Sequence, residues 1–519
     1  MIKNFKWLFL VSLTFVACSE DDEVITYNSS DGLPLTAGTA DFTKYVSLGN
    51  SLTAGYSDSA LFMEGQKISY PNILASQFAL VGGGEFKIPY MADNIGGLLL
   101  GGFQIQGPRL YFNGSGPAPV AGPPTTEVTT HLTGPFNNLG VPGAKSFHLL
   151  AAGYGNAAGV PSGLANPYYV RFASSPTSKV IDDATSQNPT FFSLWIGNND
   201  VLAYATSGGT GVNRLGNLNP ATYGANDITD PTVFASVYNT LVTNLTTGSA
   251  KGVVANLPYV TSVPFFTTVP TNPLPGLPPA SVAQLNQLFG GINLALAGAG
   301  LPPRFVPLVA DDGNPATTES NPLLIVDESL PNISAQITAA LTGTLGLPTA
   351  TYVGGLYGRA RHARNTVGNK DYILLTARTV IGTNQAGAPA PFNVIGVSNP
   401  MQDGTTLTAD ETAQVKTATD AYNASIQSIA ASKGLAFVDA NAALAQVANG
   451  GITANNFTVT SVYVTGGGFS MDGVHPSPRG YALIANKFIQ AINATYGSNL
   501  KGVSLGDYRI LYPQNPANF

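Results

Sequence analysis

The chain has 519 residues; only 10% are Asp, Glu, Lys or Arg, and 44% are hydrophobic. Ordinary soluble domains carry about 25% charged residues, but this apolar content is too high for a disordered chain and can fill a large core. A net charge of −6 excludes the basic footprint of a nucleic-acid binder, and a single cysteine excludes an intrachain disulfide framework or a thiolate-rich metal site.

The first elements in chain order concern export. Lys3 and Lys6 precede an apolar run from Trp7 to Val16, which is too short to span a hydrocarbon core of about 30 Å and reads as a secretory signal. Ala17 then precedes Cys18, the lone cysteine. This arrangement resembles the lipobox of bacterial lipoproteins, with Phe15 where the family usually has Leu. The resemblance implies a signal peptide over residues 1–17 and lipidation at Cys18, which becomes the mature N-terminus and attaches the chain to a membrane through its acyl chains. The acidic run Glu20-Asp21-Asp22-Glu23 resembles the export signal of surface lipoproteins in Bacteroidetes-type bacteria, which implies an outer membrane lipoprotein exposed at the cell surface. A solvated linker is the plainer reading of the same charges. Residues 18–40 form the tether, and the Gly/Thr-rich stretch from 24 to 40 reads as a flexible spacer.

A domain is expected over residues 41–500. Its first strand is Lys44–Leu48, ended by Gly49-Asn50. Thr190–Ile196 is almost continuously apolar, as a parallel strand covered on both faces should be. Further strand candidates are Gly252–Leu257, Tyr372–Ala377 and Leu435–Val438. Apolar or small residues recur at near-helical spacing through Ala409–Lys433, and a last helix spans Pro478–Tyr496 with Ser477 as its N-cap. Strands alternating with helices imply an α/β fold with a mostly parallel sheet. Two Gly/Pro-rich regions, at about 82–135 and 259–405, read as large loop-rich insertions that build a cap or groove over one end of the sheet. Ser281–Gly298 suits an amphipathic helix of that cap, and 501–519 is a C-terminal tail.

Four short segments fit one chemical scheme. Gly49-Asn50-Ser51-Leu52-Thr53 follows the first strand, so the Ser51 hydroxyl stands at the carboxyl edge of the sheet, where open α/β sheets place their ligands. In Asn138–Ala144, Gly143 can bring a bare N–H close to a substrate. Gly197-Asn198-Asn199-Asp200 ends the Thr190–Ile196 strand and offers a side-chain amide to a developing oxyanion. In Asp472-Gly473-Val474-His475-Pro476, a carboxylate three residues before the imidazole can orient it as a general base. Singly, each segment reads more readily as a turn or a helix cap than as a site.

These blocks, in this order, resemble the SGNH/GDSL hydrolase superfamily of esterases and lipases. The resemblance implies a flavodoxin-like three-layer α/β/α sandwich. It also implies Ser51 as nucleophile, His475 as general base, Asp472 as its orienting carboxylate, and an oxyanion hole from Ser51, Gly143 and Asn199. Asn50 stands where the family usually has Asp. The implied activity is a carboxylic ester hydrolase acting through an acyl-enzyme on acyl or acetyl esters, a lipid or an acylated glycan, with no cofactor and no metal. A carbohydrate acetylesterase is the alternative, as is an inactive glycan- or lipid-binding lipoprotein on the same scaffold.

No catalytic role falls to His131, His148 or His362. Arg359, Arg361 and Arg364 read as a solvated basic loop, and Asp311, Asp312, Asn314 and Glu319 resemble a calcium loop only loosely, since their spacing misses the EF-hand pattern.

Overall fold

The computed structural model describes residues 28, 32–314, 316, 318–515 and 518–519. The expected signal peptide, Cys18 and the acidic run lie outside the described residues.

Five parallel strands form the central sheet: β1 (Tyr45–Gly49), β2 (Asn138–Gly140), β3 (Phe191–Trp195), β4 (Lys251–Ala255) and β5 (Ala436–Val438). Their spatial order is 5-4-3-1-2, so the chain reverses direction across the sheet between β1 and β3. Val46 and Leu48 of β1, Phe192 and Leu194 of β3, and Val253 and Val254 of β4 are all fully buried. Near-continuous apolar runs of this kind are what a sheet covered on both faces requires.

Helices pack on the sheet in two groups. Tyr70–Ala79 (α2) packs with Pro478–Tyr496, and the latter also touches β4 and β5. The other group is Val180–Thr185 (α3), Asn199–Thr206 (α4), Pro231–Leu245 (α5) and Ala409–Ser432. The architecture is mixed α/β with an all-parallel sheet, compatible with three layers. Helix Ala409–Ser432 begins with a reciprocal cap: Thr408 Oγ1 accepts from the Glu411 N–H while the Glu411 carboxylate accepts from the Thr408 N–H. Pro478–Tyr496 is capped by Ser477 Oγ, which accepts from the Gly480 N–H at 3.0 Å.

The two insertions differ in kind. Residues 82–135 hold two short antiparallel hairpins, Leu98–Leu100 with Phe103–Gln106 and Leu110–Phe112 with Pro117–Pro119. Residues 259–405 are more than loop: helices Pro279–Gly298 (α6), Ser334–Leu345 (α7) and Leu347–Tyr357 (α8) enclose a core of their own around Phe289, Ile292, Phe305, Ile337 and Tyr357. Pro279 and Pro348 sit in the first turns of α6 and α8, where a missing N–H costs nothing, so proline here starts helices. Tyr372–Ala377 is not a strand of the central sheet. Only Tyr372–Ile373 is extended, paired antiparallel with Thr406–Leu407, and a 3₁₀ turn follows. With these included, the later helices are Ala409–Ser432 (α9), Ala440–Ala448 (α10) and Pro478–Tyr496 (α11).

The end of the expected spacer is tied down: Thr39 N–H donates to Tyr496 O at 2.8 Å, and Thr36 N–H to Asn499 Oδ1 at 2.6 Å. The C-terminal tail is also held, through Arg109 Nη2 donating to Pro513 O at 2.7 Å. Among the described residues no helix is long and apolar enough to cross a membrane.

Candidate active site

Ser51 opens the single helical turn α1 (Ser51–Ala54) directly after β1. Asn50 caps that turn, its Oδ1 accepting from the Leu52 N–H at 3.0 Å. Its Nδ2 donates to Asn198 Oδ1 at 3.1 Å, which binds the turn after β1 to the turn after β3. Asn50 is buried and uses both halves of its amide, a pairing an ionised carboxylate could not make because it has no donor.

His475 arrives on the turn before α11. Its Nε2 accepts from the Ser51 hydroxyl at 2.9 Å, and its Nδ1–H donates to Asp472 Oδ2 at 2.9 Å. Asp472 is held by four further donors: the N–H groups of Ser59 (2.9 Å), Val474 (2.8 Å) and His475 (2.8 Å), and the Ser470 hydroxyl at 3.1 Å. Burial pushes this carboxyl up, but the His475 charge and the converging N–H groups outweigh it and bring it down to about 2. Asp472 is therefore an anion throughout the neutral range, aimed at the imidazole. Gly473 has φ +71°, and a Cβ there would lie 3.0 Å from the Phe265 N and the Leu375 side chain, so the turn admits only glycine without strain. The Tyr56 ring packs on the imidazole, centroids 4.6 Å apart.

The third part is a set of donors. Ser51, Gly143 and Asn199 follow β1, β2 and β3, which are adjacent in the order 2-1-3 and so stand about 4.8 Å apart at their carboxyl ends. Among the described residues neither the Ser51 nor the Gly143 backbone N–H has a hydrogen-bond acceptor. Asn199 Nδ2 donates to Ala144 O at 2.9 Å, which occupies one amide hydrogen and leaves the other. Gly143 has φ +81° in open space, so conformation rather than crowding calls for glycine there.

The loop that carries Gly143 is fastened at two points. Asn166 Nδ2 donates to Pro142 O at 2.8 Å. Asp200, one residue after Asn199 and fully buried, accepts from the Ser146 N–H at 2.8 Å and the Ser146 hydroxyl at 2.7 Å. Ser51 and His475 open onto a cavity of about 130 Å³.

Of the expected residues, Ser51, Asp472 and His475 are joined by hydrogen bonds, and Gly143 and Asn199 follow the strands on either side of the one that leads to the serine. Tyr56, Asp58, Ser59 and Ser470, which support the dyad, were not expected; the polar cluster Tyr56-Ser57-Asp58-Ser59 just after the serine turn is their only sequence trace. His148 is structural, as expected: its Nδ1 accepts from the Lys145 N–H at 3.0 Å, and burial lowers it to about 4. His362 Nδ1 accepts from the Val306 N–H at 3.0 Å, and His131 Nε2 lies 2.8 Å from Ala173 O.

Of the basic cluster Arg359 is exposed and Arg364 half-buried, but Arg361 is not solvated. Arg361 is 2% exposed and ion-paired with Asp327 at 2.6 Å and with both oxygens of Asp371. Two acidic clusters have carboxylate oxygens within 4.8 Å of one another: Asp311, Asp312 and Glu319, and Glu328, Asp403 and Glu411. Among the described residues these are the ones that could hold a metal; neither cluster includes a residue of the Ser51 site.

Comparison with protein-family models, with curated proteins and with solved structures finds no match to this chain.

Proposed function

We propose that the chain is a serine ester hydrolase of the SGNH/GDSL type on a flavodoxin-like three-layer sandwich. The observation that carries this reading is the continuous chain Ser51 Oγ–His475 Nε2 and His475 Nδ1–Asp472 Oδ2, both links at 2.9 Å, beside two backbone N–H groups with no acceptor among the described residues. The strand order 2-1-3-4-5 places the serine at the switch point between β1 and β3, where doubly wound sheets bind ligands. A binding module would need none of these links.

In this mechanism Ser51 Oγ attacks the ester carbonyl carbon while His475 Nε2 takes its proton. Asp472 stabilises the imidazolium through Nδ1–H and holds the ring in the tautomer that leaves Nε2 free to accept. The carbonyl oxygen becomes an oxyanion and receives hydrogen bonds from the Ser51 and Gly143 N–H groups and the Asn199 amide. Each such donor is worth on the order of 10²–10³ in rate. His475 returns the proton to the departing alcohol, leaving an acyl-enzyme. Water, deprotonated by the same nitrogen, then attacks the acyl carbon and releases Ser51.

Lipidation at Cys18 and exposure at the outer membrane surface complete the proposal. They rest on the sequence Ala17-Cys18 and the acidic run after it. The purified chain from residue 24 onward is expected to hydrolyse p-nitrophenyl acetate and butyrate, with kcat lowered at least about 10³-fold in Ser51→Ala. Activity that survives Ser51→Ala contradicts the site, and a Cys18→Ser chain that stays membrane-bound contradicts the anchor.

A further inference from the structure

We propose that the cavity beside Ser51 is an acyl-chain pocket that selects acyl groups of about four to six carbons, an inference that rests on the hydrolase reading above. Its walls are Val438 at the end of β5, Ala443 and Val447 on α10, and Leu483, Ile484 and Phe488 on α11. Ser51 and His475 line the same cavity, so a chain bonded to the Ser51 oxygen meets these apolar walls.

The chemistry of the lining decides what that path can hold. Besides Ser51 and His475, the only side chains with hydrogen-bonding groups other than Trp195 are Asn198, Asn199 and Lys487. Asn198 Oδ1 already accepts from Asn50, one Asn199 amide hydrogen is taken by Ala144 O and the other faces the oxyanion, and the Trp195 indole N–H donates to Asn256 O at 3.0 Å, which leaves the Asn198 amide N–H groups and Lys487 as the polar groups open to a ligand. A sugar ring placed here would bury several hydroxyl groups against few partners, which is costly, whereas methylenes bring no polar group to satisfy. The alcohol half of the ester, which must leave with the His475 proton, is therefore the half that faces away from this cavity.

Two measures limit the length of the chain. A cavity of about 130 Å³ is slightly smaller than the engineered ~150 Å³ cavity that holds benzene, so it takes about six carbons at most. Lys487 lies seven residues beyond Gly480 on α11, about 10 Å further along the helix, and both residues line the cavity. Among the described residues its ammonium has no hydrogen bond or ion pair. Lys487 is half-buried, and a long cationic side chain at such a position covers apolar surface with its stem and turns its ammonium toward water, so the apolar path ends there.

The test is the profile of kcat/KM across p-nitrophenyl acetate, butyrate, hexanoate, octanoate and decanoate, run beside fluorophosphonate labelling of the same preparation. The wild-type value is expected to rise about fourfold per added methylene up to hexanoate and to fall by decanoate. Ala443→Phe, which fills the cavity from α10, should lower the hexanoate-to-acetate ratio at least about tenfold. Lys487→Met, a half-buried helix position that the fold tolerates, should move the optimum to octanoate or beyond. A labelled, active enzyme whose profile is flat or falls from acetate onward overturns the pocket and leaves the hydrolase reading standing. The same holds if Lys487→Met folds and labels but leaves the optimum where it was. An enzyme that takes no label and cleaves no ester overturns both.

Discussion

Asp58 and Asp472 are buried carboxylates on two turns that meet through the Met471 and Ser59 N–H groups, and their surroundings drive them in opposite directions. Asp472 receives N–H groups from three residues and faces His475, which brings it down to about 2. Asp58 accepts one N–H, from Met471 at 2.7 Å, and its second oxygen has no partner. Burial, with the Asp472 charge beside it, pushes Asp58 up to about 7, against the lowering effect of Met471 and Arg109. An unfolded Asp titrates near 3.9, so the folded chain holds a proton that the unfolded chain releases. The stability this group contributes is complete below about pH 4 and is lost as the pH rises toward 7. Asp58→Asn keeps the acceptor for Met471 and removes the charge. It should raise Tm by a few degrees at pH 8 and change it little at pH 4, measured by scanning calorimetry; a loss of Tm equal at both pH values would contradict the argument. At this scale Ser51, Gly143, Asn199, Asp472 and His475 were legible because each sits in a short polar segment at a strand end or before a helix. Asp58 and Ser59 were not, because their role depends on a contact with residues more than four hundred positions away.

Among the elements, α4 and the loop after β2 form one unit. Asp200 on α4 holds Ser146 through two hydrogen bonds, and Asn199, its neighbour, holds Ala144 O. Gly143 is thus positioned from the same turn that supplies the amide. Asp200→Ala leaves two buried donors of Ser146 without an acceptor, at a cost of about 1–3 kcal/mol, and loosens the loop. The expected result is a fall in kcat of roughly 10–100-fold with KM changed less than about threefold, measured on p-nitrophenyl butyrate. A change in KM alone would assign Asp200 to binding instead. Strands β1, β3, β4 and β5 were legible from their apolar runs, and α9 and α11 from spacing and caps. Strand β2 was hidden because Asn138–Gly140 is three residues long with a single apolar side chain. Tyr372–Ala377 misled for the opposite reason: a short apolar run looks the same in a central strand and in an insertion that has its own core.

For the whole molecule, the insertion at 259–405 changes what low charge means. Its helices bury their own cluster, and Arg361 anchors it by pairing inside with Asp327 and Asp371. Asp371 Oδ1 also accepts from the Ala409 N–H at 2.9 Å, at the start of α9, so the insertion is bonded to the first turn of a sheet-packing helix. None of this could be read from the run Gly358–Arg364, since the partners lie elsewhere in the chain. The same long-range closure brings Ser51, near one end of the domain, to His475, near the other. That convergence is the central claim, and active-site labelling reads it directly. A fluorophosphonate probe added to the folded chain, followed by peptide mass spectrometry, should modify Ser51 alone, and urea-unfolded protein or His475→Ala should take up no label. Labelling at another serine, or at Ser51 equally in the unfolded chain, would contradict the account.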